Sequence, residues 1–201
     1  MHVDLIAGLP GEDVASFARG FDRLLELKPH EIQFGILKRL RGTPIIRHTA
    51  EYGLVFDPHP PYTILATDRI DFNEMQQLVR FARYWDLIAN SGRFAHTLPL
   101  ILREMPFANF MRLSNWLYAN TDATHRIALE RLAVLVRQWL VTEGMDEEAA
   151  AELLRSDYAG QANTKLKTQA ARKQAVTEEK KAAQQDALSS LTRRQARHMA
   201  S

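Results

Sequence analysis

Two short apolar runs separated by an amphipathic segment constrain this chain more than any other feature. Residues 3–8, Val-Asp-Leu-Ile-Ala-Gly, are nearly continuous apolar sequence and lead into Leu9-Pro10-Gly11. That is the pattern of a strand covered on both faces and followed by a tight turn. Asp13 is placed to cap a helix in which Val14, Phe17, Phe21, Leu24 and Leu25 recur at helical spacing, and Pro29 stops it. Residues 31–38, Glu-Ile-Gln-Phe-Gly-Ile-Leu-Lys, read as a second strand. Strand, helix and strand in this order make a βαβ unit, whose right-handed crossover sets the strands parallel. Such a pair is not stable alone, because both faces and both edges need cover.

The sequence then turns helical. Thr43 and Pro44 suit the cap and first position of a short helix that Gly53 ends. Residues 57–62, Asp-Pro-His-Pro-Pro-Tyr, form an extended loop, since each proline turns its predecessor away from helix. Asp71 and Glu74 resemble a capping box, followed by the stripe Phe72, Met75, Leu78, Val79, Ala82, Trp85 and Ile88, which Gly92 closes. Further helices are expected over 94–105, 107–120, 122–143 and 146–157, marked by Pro106, Thr121, Gly144 and Asp146. Apolar residues wrap widely around two of these, which predicts a helical bundle with its own core. The fold class is an α/β fragment followed by mostly α structure: residues 1–56, a linker at 57–70, a helical domain at 71–160 and a basic tail at 161–201.

Charge supports the last boundary. Residues 1–160 hold 17 Lys+Arg against 21 Asp+Glu, whereas 161–201 hold 9 against 3. The tail lacks aromatic residues, and its large apolar residues, Leu166, Val176, Leu188, Leu191 and Met199, lie far apart. It reads as a disordered segment with transient helix, too poor in apolar surface to offset its ordering entropy. A basic tail suits nucleic acid or an acidic partner surface, although no recognition-module signature accompanies it. The chain of 201 residues has no cysteine, which excludes disulfides, thiolate metal sites and cysteine nucleophiles. No apolar run reaches the roughly 18 residues of a membrane span, and the start lacks the basic region of a secretory leader. A cytoplasmic location is expected, with no membrane partner.

Few polar residues form a chemical constellation. His48, His59 and His96 have no partner at metal-ligand spacing, and His125 falls in the first turn of a predicted helix. Asp68, Asp71 and Glu74 imitate a carboxylate cluster, but capping accounts for the last two. Lys38, Arg39 and Arg41 precede Gly42-Thr43-Pro44 and face either an anionic substrate or solvent. Glu12 stands where a carboxylate favours a helix dipole.

The string His2-Val3-Asp4-Leu5-Ile6-Ala7-Gly8-Leu9-Pro10-Gly11-Glu12 resembles the late-barrel strand and turn of radical S-adenosylmethionine (SAM) enzymes, as in the coproporphyrinogen dehydrogenase and methylthiotransferase branches. Ile32-Gln33-Phe34 through Leu37-Lys38, then Gly42-Thr43-Pro44, resembles the following strand and its Gly-Thr-Pro loop. Pro60-Pro61-Tyr62 through Leu65, and Asn90-Ser91-Gly92-Arg93-Phe94, is similar to a helical domain of unknown function behind the barrel of cobalamin-binding members. The resemblance covers roughly residues 2–155. It implies that residues 1–56 are the last two parallel strands of a partial (β/α)6 TIM-like barrel.

In that family a Cys-x3-Cys-x2-Cys motif holds a [4Fe–4S] cluster that binds and cleaves SAM. No cysteine is present here, and the chain starts at what the resemblance makes the fifth of six strands. The expectation is the C-terminal portion of a radical SAM, B12-binding-type iron–sulfur enzyme, inactive alone and with no catalytic or metal-ligating residue of its own. SAM, the [4Fe–4S] cluster and cobalamin would belong to the full-length family, and a complementing chain with the cluster domain would be the partner. The resemblance further implies a SAM adenine wall. Ile6 would supply the apolar contact, Gly8 would let the backbone approach, and Leu37 and Lys38 would close the pocket mainly through backbone groups. On the plainer reading Ile6 is ordinary core and Gly8 a turn residue. The alternative function is a non-enzymatic helical interaction module whose basic tail binds nucleic acid or an acidic partner. A third reading is a degraded remnant. Exposed edges on the two strands would favour self-association.

Overall fold

β1 (His2–Ala7) and β2 (Glu31–Ile36) run parallel, in register from His2 opposite Glu31 to Ala7 opposite Ile36. The crossover is α1 (Val14–Glu26), capped as its sequence predicts. The Ser16 N–H donates to Asp13 Oδ1 at 2.7 Å, and the Asp13 N–H donates to Ser16 Oγ at 3.1 Å. The computed structural model describes residues 1–159, so the basic tail expected at 161–201 lies outside the described residues.

Cover reaches the strand pair unevenly. Along β1, Val3, Leu5 and Ala7 turn inward, while His2, Asp4 and Ile6 are exposed. On β2, Ile32 and Phe34 are buried and Gln33 is exposed. The two-sided burial expected of a parallel sheet is therefore present on one face only, because the packed helices all lie against the Phe34 side. The edges differ as well. On the outer edge of β2 the Asn90 side chain acts as a substitute strand: its Nδ2 donates to the Ile32 carbonyl at 2.9 Å, and its Oδ1 accepts from the Ile32 N–H at 3.4 Å. Beyond Ile36 the chain pairs with a small antiparallel hairpin, β3 (Val55–Phe56) and β4 (Ile64–Ala66). The Ile64 N–H donates to the Leu37 carbonyl at 2.9 Å and the Arg39 N–H to the Tyr62 carbonyl at 3.0 Å. Among the described residues no strand pairs with the other edge of β1. The Leu37 N–H donates to the Ala7 carbonyl, so parallel alternation turns the N–H and C=O groups of Asp4 and Ile6 to that free edge.

The hairpin corrects the expected linker at 57–70. Ile64 and Ile70 are fully buried, so this stretch is packed structure around the proline-rich turn. The short element after Thr43 is a 3₁₀ turn, Pro44–His48, and the Thr43 side chain does not cap it. α2 (Phe72–Trp85) starts at the Asp71–Glu74 capping box and ends in one π-helical turn, Asp86–Asn90, before Gly92 at φ +64°. α3 is only Leu98–Leu102, shorter than the expected 94–105, and α4 is Pro106–Thr121. α5 runs over Leu129–Thr142 and does not begin at 122. The segment before it is held out of helix: Asp122 and Arg126 adopt left-handed φ values of +49° and +58°, and the hydroxyl of Tyr84, on α2, donates to the Ala123 carbonyl at 2.7 Å. A last helix, α6, occupies residues 147–159, where the Asp146 carboxylate accepts from the Ala149 N–H at 3.1 Å. Among the described residues no helix is long and apolar enough to cross a membrane.

Residues Met1–Asp157 pack as one unit, and its centre is aromatic. The Phe81 ring lies 4.9–5.2 Å from those of Phe110, Phe107, Phe21 and Phe34, within the range at which offset and edge-on pairs attract. Phe21 and Phe34 come from the βαβ unit, the other rings from α2 and α4. The separate helical core expected from the sequence is thus merged with that of the strands. Two carboxylates fasten the layers. Asp22 of α1 accepts from the Phe107 N–H at 2.8 Å, capping α4, which has no side-chain cap of its own. Asp157, only 4% exposed, accepts from the His96 N–H at 2.6 Å and the Thr97 hydroxyl at 2.5 Å.

Phe81→Ala is expected to lower stability by about 3–5 kcal/mol, read from urea unfolding. Because the core is shared, strand and helix probes should report one transition. Asp157→Ala is expected to lose about 1–3 kcal/mol through the orphaned donors at the start of α3, with Asp157→Asn recovering part of it.

Candidate functional site

In parallel α/β units the C-terminal ends of the strands and the loops after them present ligands. Here those loops are residues 8–12 after β1 and 37–43 after β2. The four residues expected to form an adenine wall do not share one surface. Ile6 stands on the open face at 43% exposure, opposite Gly35 on β2. A Cβ at Gly35 would lie 3.6 Å from Ile6 Cγ1, so the glycine leaves a flat apolar shelf beside the isoleucine. Gly8 is buried and points the other way. A Cβ there would meet Ile64 Cγ2 at 2.7 Å and Met75 Cε at 3.2 Å, and its φ is +89°. Packing against β4 and α2 and a left-handed turn therefore both require glycine at this position.

Leu37 is half-buried, and its backbone is fully engaged: its N–H donates to the Ala7 carbonyl and its carbonyl accepts from the Ile64 N–H. Only its side chain remains for a ligand. Lys38 is exposed, with its carbonyl accepting from the Leu40 N–H at 3.1 Å. Arg39 and Arg41 line a small cleft that none of these four residues lines.

Glu12 and Asp13 sit side by side with opposite protonation tendencies. Burial, and then the neighbouring Asp13 charge, push the Glu12 carboxyl above its ordinary value. Its Oε2 is buried and has no hydrogen-bond partner among the described residues. The Ser16 backbone and hydroxyl bonds hold Asp13 below the ordinary carboxylate value. Glu12 is thus more than the exposed helix-dipole charge expected from its position. A Cβ on the preceding residue, Gly11, would lie 3.5 Å from the Tyr52 ring, so this turn packs against a segment about forty residues away in the chain.

The other polar candidates are accounted for structurally. Asp71 and Glu74 form a reciprocal capping box, and Asp68 lies 3.9 Å from Arg69. His48 lies 3.6 Å from Glu51, His59 3.3 Å from Asp57, and the His96 backbone is held by Asp157. Among the described residues no three His, Cys, Asp or Glu side chains are grouped to hold a metal ion.

Residues 50–199 match the family described as a protein of unknown function (DUF4080), and the chain belongs to that family. The matched stretch takes in the hairpin and all the helices from α2 onward, and it continues across the basic segment outside the described residues. No curated protein matches the chain.

Two substitutions test this geometry. Gly8→Ala is expected to cost about 1–3 kcal/mol through overpacking, and less when Ile64→Ala removes the clashing methyl, as a double-mutant cycle of unfolding midpoints will read. For Glu12, whose folded pKa is raised, the folded state binds the extra proton, so its contribution to stability is present below the ordinary carboxylate value and is lost as pH rises through the folded pKa. Glu12→Gln is expected to flatten that decline and to stabilise the protein modestly at neutral pH, measured as urea midpoints across the pH range.

Proposed function

We propose that this DUF4080 member is the C-terminal portion of a radical SAM, B12-binding-type iron–sulfur enzyme, active only together with a chain that carries the cluster domain. The observation that supports it best is the free edge of β1. A parallel pair whose first strand turns the N–H and C=O groups of Asp4 and Ile6 outward needs a further strand beside it. The uncovered face has the composition of a barrel interior next to a ligand, with the apolar shelf of Ile6 and Gly35 lying one step along the strands from the polar pair Asp4 and Gln33. The family match falls on the helices that the sequence resemblance puts behind such a barrel.

The implied groups fit unequally. A [4Fe–4S] cluster does not fit this chain, which has no thiolate to offer. SAM fits in part. Bound in the complex, it would supply an adenosyl group carried on a sulfonium. Ile6, half-exposed beside the unobstructed Gly35, would cover one side of the adenine and exclude water from it. The Leu37 side chain, at the end of β2, would close the wall, and the exposed Lys38 would lie at its rim. Gly8 would act only through the turn it permits.

Anaerobic reconstitution with iron and sulfide tests the reading. The chain alone should bind no stoichiometric cluster and release no 5′-deoxyadenosine. Mixed with a chain bearing Cys-x3-Cys-x2-Cys and the preceding strands, it should form a complex that does. Ile6→Glu should weaken SAM binding by that complex about tenfold, the equivalent of about 1.4 kcal/mol, without dissociating it. SAM cleavage by the chain alone, or unchanged SAM affinity in the Ile6→Glu complex, would overturn it.

A further inference from the structure

We propose that the cleft formed by loop 39–43, Ile46 and Tyr62 is a binding site for a small oxyanion attached to a flat apolar body, as in an aryl phosphate or an aryl carboxylate. The cleft has a volume of about 270 Å³, just below the range of about 300–1,000 Å³ for small-molecule pockets, so one ring and one oxyanion fill it. Its cations are Arg39 and Arg41, and none of its lining residues is acidic. Its apolar walls are Leu40 and Ile46, exposed at 59% and 57%, together with the Tyr62 ring.

Arg39 is built in. Its backbone N–H is bonded to the Tyr62 carbonyl at 3.0 Å, and its guanidinium carbon lies 5.7 Å from the Phe56 ring centroid and 5.8 Å from that of Tyr62. Aromatic faces orient a guanidinium without taking its N–H donors, as a carboxylate would. Among the described residues neither Arg39 nor Arg41 joins an ion pair. The carboxylate next to Phe56, Asp57, is turned to its own loop, where it accepts from the His59 N–H at 2.9 Å and lies 3.3 Å from the His59 ring. The loop itself is closed: the Thr43 hydroxyl and N–H both donate to the Leu40 carbonyl, at 2.7 and 3.3 Å. A fixed guanidinium fork, a second cation and two uncovered aliphatic side chains in one small cleft match an oxyanion by the fork and its apolar body by the walls. The site needs no cluster and no partner chain, so it stands or falls apart from the enzyme reading above.

The full chain is titrated with phenyl phosphate, benzoate, inorganic phosphate and phenol while the backbone amide resonances of Gly42, Thr43 and Tyr62 are followed. Phenyl phosphate and benzoate should saturate the same resonances, more tightly than inorganic phosphate, and phenol should not. A larger effect from phenyl phosphate than from benzoate identifies phosphate as the preferred head group, and the reverse identifies carboxylate. Arg39→Gln should weaken binding about tenfold, the range of a charge-assisted bond, with Arg39→Lys intermediate. Arg41→Gln, at an exposed position that leaves the fold intact, should weaken it severalfold. Equal binding of phenol and phenyl phosphate, equal binding of inorganic and phenyl phosphate, or unchanged affinity in Arg41→Gln would overturn the proposal.

Discussion

Parallel pairing of two strands leaves two edges and two faces to be satisfied, and the rest of this molecule is arranged around how far that demand is met. One face is closed by α1, α2 and α4 through Phe17, Phe21, Phe81, Phe107 and Phe110, all buried. One edge is closed in two parts, by the Asn90 side chain at Ile32 and by the hairpin beyond Ile36. The remaining edge belongs to β1 and the remaining face to both strands, with Asp4, Ile6 and Gln33 exposed on it. The packed core and the open surface therefore lie on opposite sides of the same two strands.

Long-range polar bonds hold the helices to that frame more selectively than apolar contact alone. Asp22 and Asp157 each cap a helix start from elsewhere in the sequence, and the buried Tyr84 hydroxyl reaches the loop before α5. Arg112 of α4 clasps Glu143, just past α5, with both carboxylate oxygens at 2.6 Å. For the buried Asp157 and Tyr84, a shifted helix register would leave polar groups orphaned and is penalised. Apolar rings tolerate sliding; these contacts do not.

Local chemistry was legible in the residues, and distant partnership was not. Asp13, and Asp71 with Glu74, announce their helices because a cap acts within four residues; the structure adds Ser16 as the second half of a box at Asp13. The βαβ order follows from period and turn residues in the same way. The hairpin at Val55–Ala66 escaped because its strands are two and three residues long, too short for an alternating pattern, and prolines dominate between them. The late start of α5 escaped because it depends on Tyr84, far away in the chain. At the candidate site, the reason for Gly8 was hidden. Its need to be glycine comes from Ile64 and Met75, which only the folded chain brings near. Arg39 was visible as a charge, while the two rings that orient it were not.

The amide of Asn90 gives the sheet a direction of growth. A side chain offers one donor and one acceptor and then stops, so it ends the ladder at β2 as a chain terminator ends a polymer. Among the described residues, the edge of this sheet left wholly without a partner is that of β1. A strand added at β1 therefore meets a pair whose polarity the α1 crossover has already set, with the Asn90 amide standing at its far side.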